Sequence, residues 1–160
     1  MKGEVLRPVH SSFRAKIDQQ PYEVSLDGLT LIVERDVFPP DLGLCARNMG
    51  YFASRYAPDA ALDMGCGTGY LALVMRRTGV PEVWASDIHR PAVECARRNV
   101  ARNERLAPVT VVESDLFDAI PSTRRFGLII FNQPYDPGPP ERVCGCGSDG
   151  GREIARRIRE

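Results

Sequence analysis

Between Pro58 and Asn132 the chain alternates short apolar runs with helix-patterned stretches, and this rhythm constrains the fold more than any other feature. AALDM (60–64), EVWASD (82–87), VTVVESD (109–115) and FGLIIFN (126–132) read as strands bounded by glycine, proline and polar residues. YLALVMRRTG (70–79) reads as a helix closing on Gly79. HRPAVECARRNVARN (89–103) reads as a second, with Pro91 in the first turn, where a missing N–H costs least. Strands joined through helices imply right-handed crossovers and a doubly wound, parallel α/β sheet with helices on both faces. In such sheets a ligand binds outside the carboxyl ends of the strands.

Upstream, YEVSL and LTLIV flank Asp27-Gly28, the dipeptide whose positive φ angles suit a tight type I′ turn, so residues 22–33 predict a β-hairpin. A loop broken by Pro39 and Pro40 follows, then a helix from about Asp41 to Tyr56 with Leu44, Met49, Phe52 and Ala53 facing the core. A chain of 160 residues, 43% hydrophobic, supports one core. We therefore divide it into an N-terminal extension carrying the hairpin (1–40) and an α/β domain (41–160).

Lys and Arg number 21, as do Asp and Glu, so no global basic field collects nucleic acid or an anionic membrane. No apolar run reaches the roughly 18 residues of a membrane span and the N-terminus lacks a signal-peptide core, which predicts a cytoplasmic protein without membrane contact. The five cysteines lack framework spacing and read as reduced thiols. Cys144-x-Cys146 has no histidine at ligand-like spacing, so no metal is expected.

LDMGCGTGY sits at the first strand end. Gly65, Gly67 and Gly69 allow a sharp turn and a close approach of ligand to backbone, at the N-terminus of a helix whose N–H groups point outward. The dinucleotide fingerprint needs glycine at position 70, where Tyr70 stands, which disfavours a nicotinamide or flavin dinucleotide. Asp87 ends the second strand at the spacing of an acid that accepts both ribose hydroxyls, and Asp115 ends the third, where a carboxylate can accept from an adenine amino group. Together with Asp63 they describe a site for an adenosine whose tail is not a pyrophosphate.

ALDMGCGTGYLALV, VWASD and VVESDLFD resemble the first three motifs of class I S-adenosylmethionine-dependent methyltransferases, in order, over roughly residues 58–135. The resemblance implies a Rossmann-like sheet and S-adenosylmethionine as cofactor, with S-adenosylhomocysteine as product. Gly65, Gly67 and Gly69 would line the methionine end, Asp87 would bind the ribose, and Asp115 with the backbone of Leu116 would meet the adenine, with Asp63, Cys66, Ile88 and Asn132 as further residues of the cofactor site. Asn132-Gln133-Pro134-Tyr135 is similar to the (Asn/Asp/Ser)-Pro-Pro-(Tyr/Phe) motif of enzymes that methylate planar nitrogens. Such a nitrogen has its lone pair delocalised and must be held and partly localised. Asn132 and the Gln133 carbonyl can each accept one N–H, while Tyr135, with Phe38 as a second wall, stacks on the acceptor plane. Gln133 departs from the motif's proline, but only its carbonyl is required, and Pro134 already biases it toward extended backbone.

FNQPYDPGPPERV followed by GSDGGREIARRI resembles the short branch of the HemK family of protein-glutamine N5-methyltransferases. It implies a protein acceptor such as a translation release factor. Ribosomal RNA guanine-N2 methyltransferases share much of the outline, so an RNA amino group stays open, as does an inactive cofactor-binding module. The family sheet has seven strands, and this chain stops in the helix after the fourth. An apparently truncated sheet is expected, with that strand as an uncovered apolar edge open to association.

Overall fold

The computed structural model describes residues 15–42, 44–106, 108–133 and 156–157. Asp27 and Gly28 take φ of 49° and 75°, the type I′ pattern, and fold β1 (Tyr22–Leu26) back on β2 (Leu29–Val33), with Tyr22 opposite Val33. The hairpin has the predicted bounds. Leu29, Leu31 and Val33 alternate inward and are at most 2% exposed. Burying each is worth roughly 1.5–3 kcal/mol, which fixes the hairpin to the body of the protein.

Helix α1 (Cys45–Ala53) is shorter than expected, and its buried stripe is Ala46, Gly50 and Ala53. Leu44 and Phe52, expected to face the core, are 68% and 60% exposed. The reason is close packing: a Cβ at Gly50 would lie 3.1 Å from the Tyr70 hydroxyl, so small residues must form the contact and bulky ones turn outward.

The remaining elements are β3 (Ala60–Met64), α2 (Tyr70–Arg77), β4 (Glu82–Asp87), α3 (Arg90–Arg102), β5 (Thr110–Glu113) and β6 (Leu128–Phe131). The four strands form one parallel sheet in the order β5-β4-β3-β6. β3 is central and buried throughout. One apolar cluster joins Leu26, Leu29 and Leu31 of the hairpin to α1, α2 and the sheet. On the other face Leu62 and Met64 pack with Ile120, Leu116, Phe126 and Phe131, because residues 114–127 cross in turns rather than as a helix.

The hairpin does not extend the sheet; β2 packs on α3, where Asn103 Nδ2 donates to the Thr30 carbonyl at 3.1 Å. The outer edge of β6 therefore has no strand partner among the described residues, and Ile129 there is 45% exposed. No helix among these residues is long and apolar enough to cross a membrane. The expected C-terminal helix, apart from Arg156 and Arg157, and both Cys144 and Cys146 lie outside the described residues.

Candidate functional site at the carboxyl rim of the sheet

Strand register decides what meets at the rim. Met64 pairs with Ser86 and with Phe131, and Ser86 pairs with Val112. The next residues, Gly65, Asp87, Asn132 and Glu113, therefore leave the sheet at one level. The chain moves from β3 outward through β4 and β5, then returns to the other side of β3 as β6. That reversal makes the gap between β3 and β6 a topological switch point, where open α/β sheets hold ligands. Gly65 and Asn132 flank it.

The glycine turn continues the β3–β4 pairing by one bond, from the Cys66 N–H to the Ser86 carbonyl at 2.9 Å. Gly65 has φ 65°, and a Cβ there would lie 2.8 Å from Cε2 of Phe131, so only glycine fits over that ring. Gly67 has φ 52°, and its added Cβ would meet nothing nearer than the Phe38 carbonyl at 4.0 Å. The outer side of the turn is bare backbone with Phe38 beside it.

Two carboxylates hold this turn. Asp63 Oδ2 accepts from the Ala72 N–H at 3.0 Å, capping the first turn of α2 from beneath. It is 1% exposed, and burial pushes its pKa from 3.8 up to about 7. Asp87 Oδ2 accepts from the Gly67 N–H and Oδ1 from the His89 N–H, both at 2.9 Å. Burial raises its pKa, and those two N–H groups oppose the rise. A carboxylate has about four acceptor sites, so Asp87 retains capacity for two further donors. Ile88 beside it is 65% exposed. The two buried side-chain polar atoms without a partner among the described residues, Ser86 Oγ and His89 Nδ1, stand on either side of Asp87 in the chain. Buried unsatisfied groups are uncommon.

Past β5, Ser114 Oγ donates to the Leu116 carbonyl and accepts from the Ala119 N–H, each at 3.0 Å. This holds Leu116 at φ 50° and turns Asp115 outward, where Arg157 binds its Oδ1 at 3.0 Å. Asn132 and Gln133 are half-buried at the end of β6. Pro134 and Tyr135 lie outside the described residues. Asp63, Gly65, Gly67, Asp87 and Asn132 thus share one rim, with Asp63 below its surface. Sequence reasoning missed Phe131 and Asn99, whose parts are contacts between distant segments that no local pattern marks, and Ser114, whose bonds reach only two and five residues along the chain. Among the described residues no group of three or more His, Cys, Asp or Glu could hold a metal ion.

A glycine turn at the switch point, an acid ending the neighbouring strand and a second acid beyond the third are the plan of the Rossmann-like methyltransferases. Residues 51–143 match the sequence pattern of the methyltransferase small domain, and the chain belongs to that family. A provisionally named protein N5-glutamine methyltransferase of Methanocaldococcus jannaschii is 27% identical over 144 residues, 84% of this chain and 69% of that protein. Ribosomal RNA small subunit methyltransferase C of Enterobacter sp. is 33% identical over 139 residues, 79% of this chain and 39% of that protein. The Thermus thermophilus 16S rRNA N2 G1207 methyltransferase, solved with AdoMet and guanosine, superposes with a TM-score of 0.61 at 21% identity, over 84% of this chain and 38% of that one. The chain spans only 26 to 30% of the ribosomal protein L11 methyltransferases of Thermotoga that it also matches.

Proposed function

We propose that the protein is an S-adenosylmethionine-dependent N-methyltransferase acting on a planar nitrogen, and that its acceptor is a glutamine side-chain amide of a protein such as a translation release factor. The observation that carries this reading is the rim register. It sets Asn132, the residue assigned to the acceptor, level with Gly65 and Asp87, assigned to the cofactor, on either side of the switch point. The residues present fit the cofactor: Asp87 has acceptor sites left for two ribose hydroxyls, the backbone at Gly67 is bare, and Ile88 offers an exposed apolar wall.

When bound, S-adenosylmethionine supplies an electrophilic methyl group on a sulfonium. The chain's own residues bind and orient. Gly65, Cys66, Gly67 and Gly69 line the methionine end, Asp87 takes the ribose, and Asp115 with the Leu116 backbone meets the adenine. Asn132 Oδ1 and the Gln133 carbonyl each accept one N–H of the acceptor amide, which directs nitrogen density toward the site, while Phe38 and Tyr135 wall its plane. Asn132→Ala should therefore abolish turnover while S-adenosylhomocysteine affinity stays at the wild-type value, and EDTA should leave activity intact.

The relative from Methanocaldococcus, named for glutamine N5 chemistry and aligned over 84% of this chain, supports the amide. A second reading, an RNA base amino group, is favoured by the 33% identity to the ribosomal RNA enzyme. A base offers the same two hydrogens on a wider ring, and in a duplex it must first be flipped out at a cost of a few kcal/mol. Incubation with labelled S-adenosylmethionine, release factor and ribosomal RNA decides between them. Label in the release factor is expected; label only in RNA would reject the amide and leave the cofactor assignment standing. Either substrate belongs to translation, which fits a cytoplasmic protein.

A further inference from the structure

The glycine turn is gripped from above as well as from beneath. Asn99, fully buried on α3, accepts the Ile32 N–H on Oδ1 at 2.7 Å. Its Nδ2 donates to the Ile32 carbonyl at 2.8 Å and to the Thr68 carbonyl at 3.0 Å. Toward β2 this side chain does what a neighbouring strand would do, and its second amide hydrogen reaches into the turn. Two residues on, the Tyr70 hydroxyl donates to the Asp27 carboxylate at the tip of the hairpin. Asp27 is held in turn by Arg47 at 3.1 Å. Thr68 and Tyr70 flank Gly69, so both ends of β2's hairpin are fastened to the same three residues.

We propose that the hairpin is a clamp on the cofactor turn and that Asn99 and Tyr70 are positioning residues for the cofactor. The inference rests on the reading that S-adenosylmethionine binds at this turn. Three glycines with positive φ lose more conformational entropy on ordering than any other residues, so a ligand that met a loose turn would have to order it. A turn fixed beforehand avoids that cost. Asp63 and Asp87 fix the N–H groups of Ala72 and Gly67; Asn99 and Tyr70 fix the intervening stretch. By thermodynamic reciprocity, a ligand favoured by the seated hairpin must also seat the hairpin more firmly.

A residue that merely stabilised the fold would leave the affinity of the folded protein unchanged. The test is calorimetric titration of the full chain with S-adenosylhomocysteine, at a temperature where each variant is folded. Tyr70→Phe keeps the ring against Gly50 and removes only the hydroxyl, and should weaken binding about fivefold or more, the worth of one hydrogen bond. Asn99→Ala should weaken it further. Val80→Ala, a buried site at the opposite end of the sheet, should lower the melting temperature with affinity unchanged. Wild-type affinity in Tyr70→Phe, or an equal loss in Val80→Ala, would overturn the clamp. Failure of the wild type to bind would overturn the cofactor reading and the clamp with it. Should Asn99→Ala not fold, hydrogen exchange on the wild type serves instead. Saturating S-adenosylhomocysteine should slow exchange at the Ile32 amide when global unfolding does not contribute, and an unchanged rate would refute the coupling.

Discussion

Two turns at the rim solve the same geometric problem differently. After β3, Gly65 and Gly67 take φ of 65° and 52°; after β5, Leu116 takes 50°. The first turn contributes no side chain to its own support. Its backbone hangs from Asp87 on the next strand and Asn99 on α3, and the start of α2 that it runs into is held through Ala72 by Asp63 and through Tyr70 by Asp27, all of them on other elements. The second is held by one of its own side chains, Ser114, together with a bond from the Ser114 N–H to the Asp87 carbonyl at 2.9 Å. A turn that must show bare backbone to a ligand borrows its rigidity, whereas one that presents a side chain, here Asp115, can supply its own.

The largest expected difference between them is electrostatic, since one turn rests on an ionisable acid and the other on a hydroxyl. With a folded pKa of about 7 against 3.8, Asp63 binds more protons folded than unfolded between those values. Its contribution to stability therefore falls as pH rises from about 4 to about 7, by at most about 4 kcal/mol. Asp63→Asn keeps an acceptor for the Ala72 N–H and should remove this fall. Denaturant titrations of both proteins across that range, taken as a difference, isolate the effect from the other carboxyls. Parallel pH profiles would mean that Asp63 is ionised in the fold at no cost.

Within the first turn, Gly65→Ala should be the more damaging to the fold. It combines positive φ with a Cβ 2.8 Å from Phe131, at a cost of about 3 kcal/mol by thermal or chemical unfolding. Gly67→Ala meets open space and should cost only about 1 kcal/mol of stability, yet place a methyl group where the ligand approaches the backbone. Its signature is S-adenosylhomocysteine affinity lowered about tenfold or more in a protein that still folds, a loss of about 1.4 kcal/mol. If affinity were retained, the ligand would not lie over Gly67.

How much of this was legible in the sequence follows from how local each device is. The Asp27-Gly28 turn, the three glycines and the acid ending β4 are marked by residue type at fixed spacing, and the strands 60–64 and 82–87 fell at their predicted bounds, whereas β5 ends at Glu113 and leaves Asp115 in the turn beyond it. The face of α1 was misread because Leu44 and Phe52 are apolar, while the packing surface is set by how closely Tyr70 approaches Gly50, a contact twenty residues away in sequence. Asn99 reads locally as one more polar residue in an arginine-rich helix; its three backbone partners, on Ile32 and Thr68, are 67 and 31 residues distant. The register that aligns Asn132 with Gly65 likewise depends on strand pairing, which composition does not encode.

The smallest expected effect lies in the second turn. Leu116→Gly would relieve a left-handed conformation worth about 1 kcal/mol for an L residue. Against this stand the extra freedom glycine gives the unfolded chain, about 0.5–1 kcal/mol, and the lost packing of a half-buried leucine on Leu62 and Met64, about 1 kcal/mol. The losses exceed the relief by only about 0.5–1 kcal/mol, so the variant should be slightly less stable than the wild type. Ser114 remains to hold the loop, and its bond to the Ala119 N–H does not depend on the side chain at 116. A loss as large as that of Gly65→Ala would mean that the second turn, too, is fixed from outside, and the contrast between borrowed and self-supplied rigidity would fail.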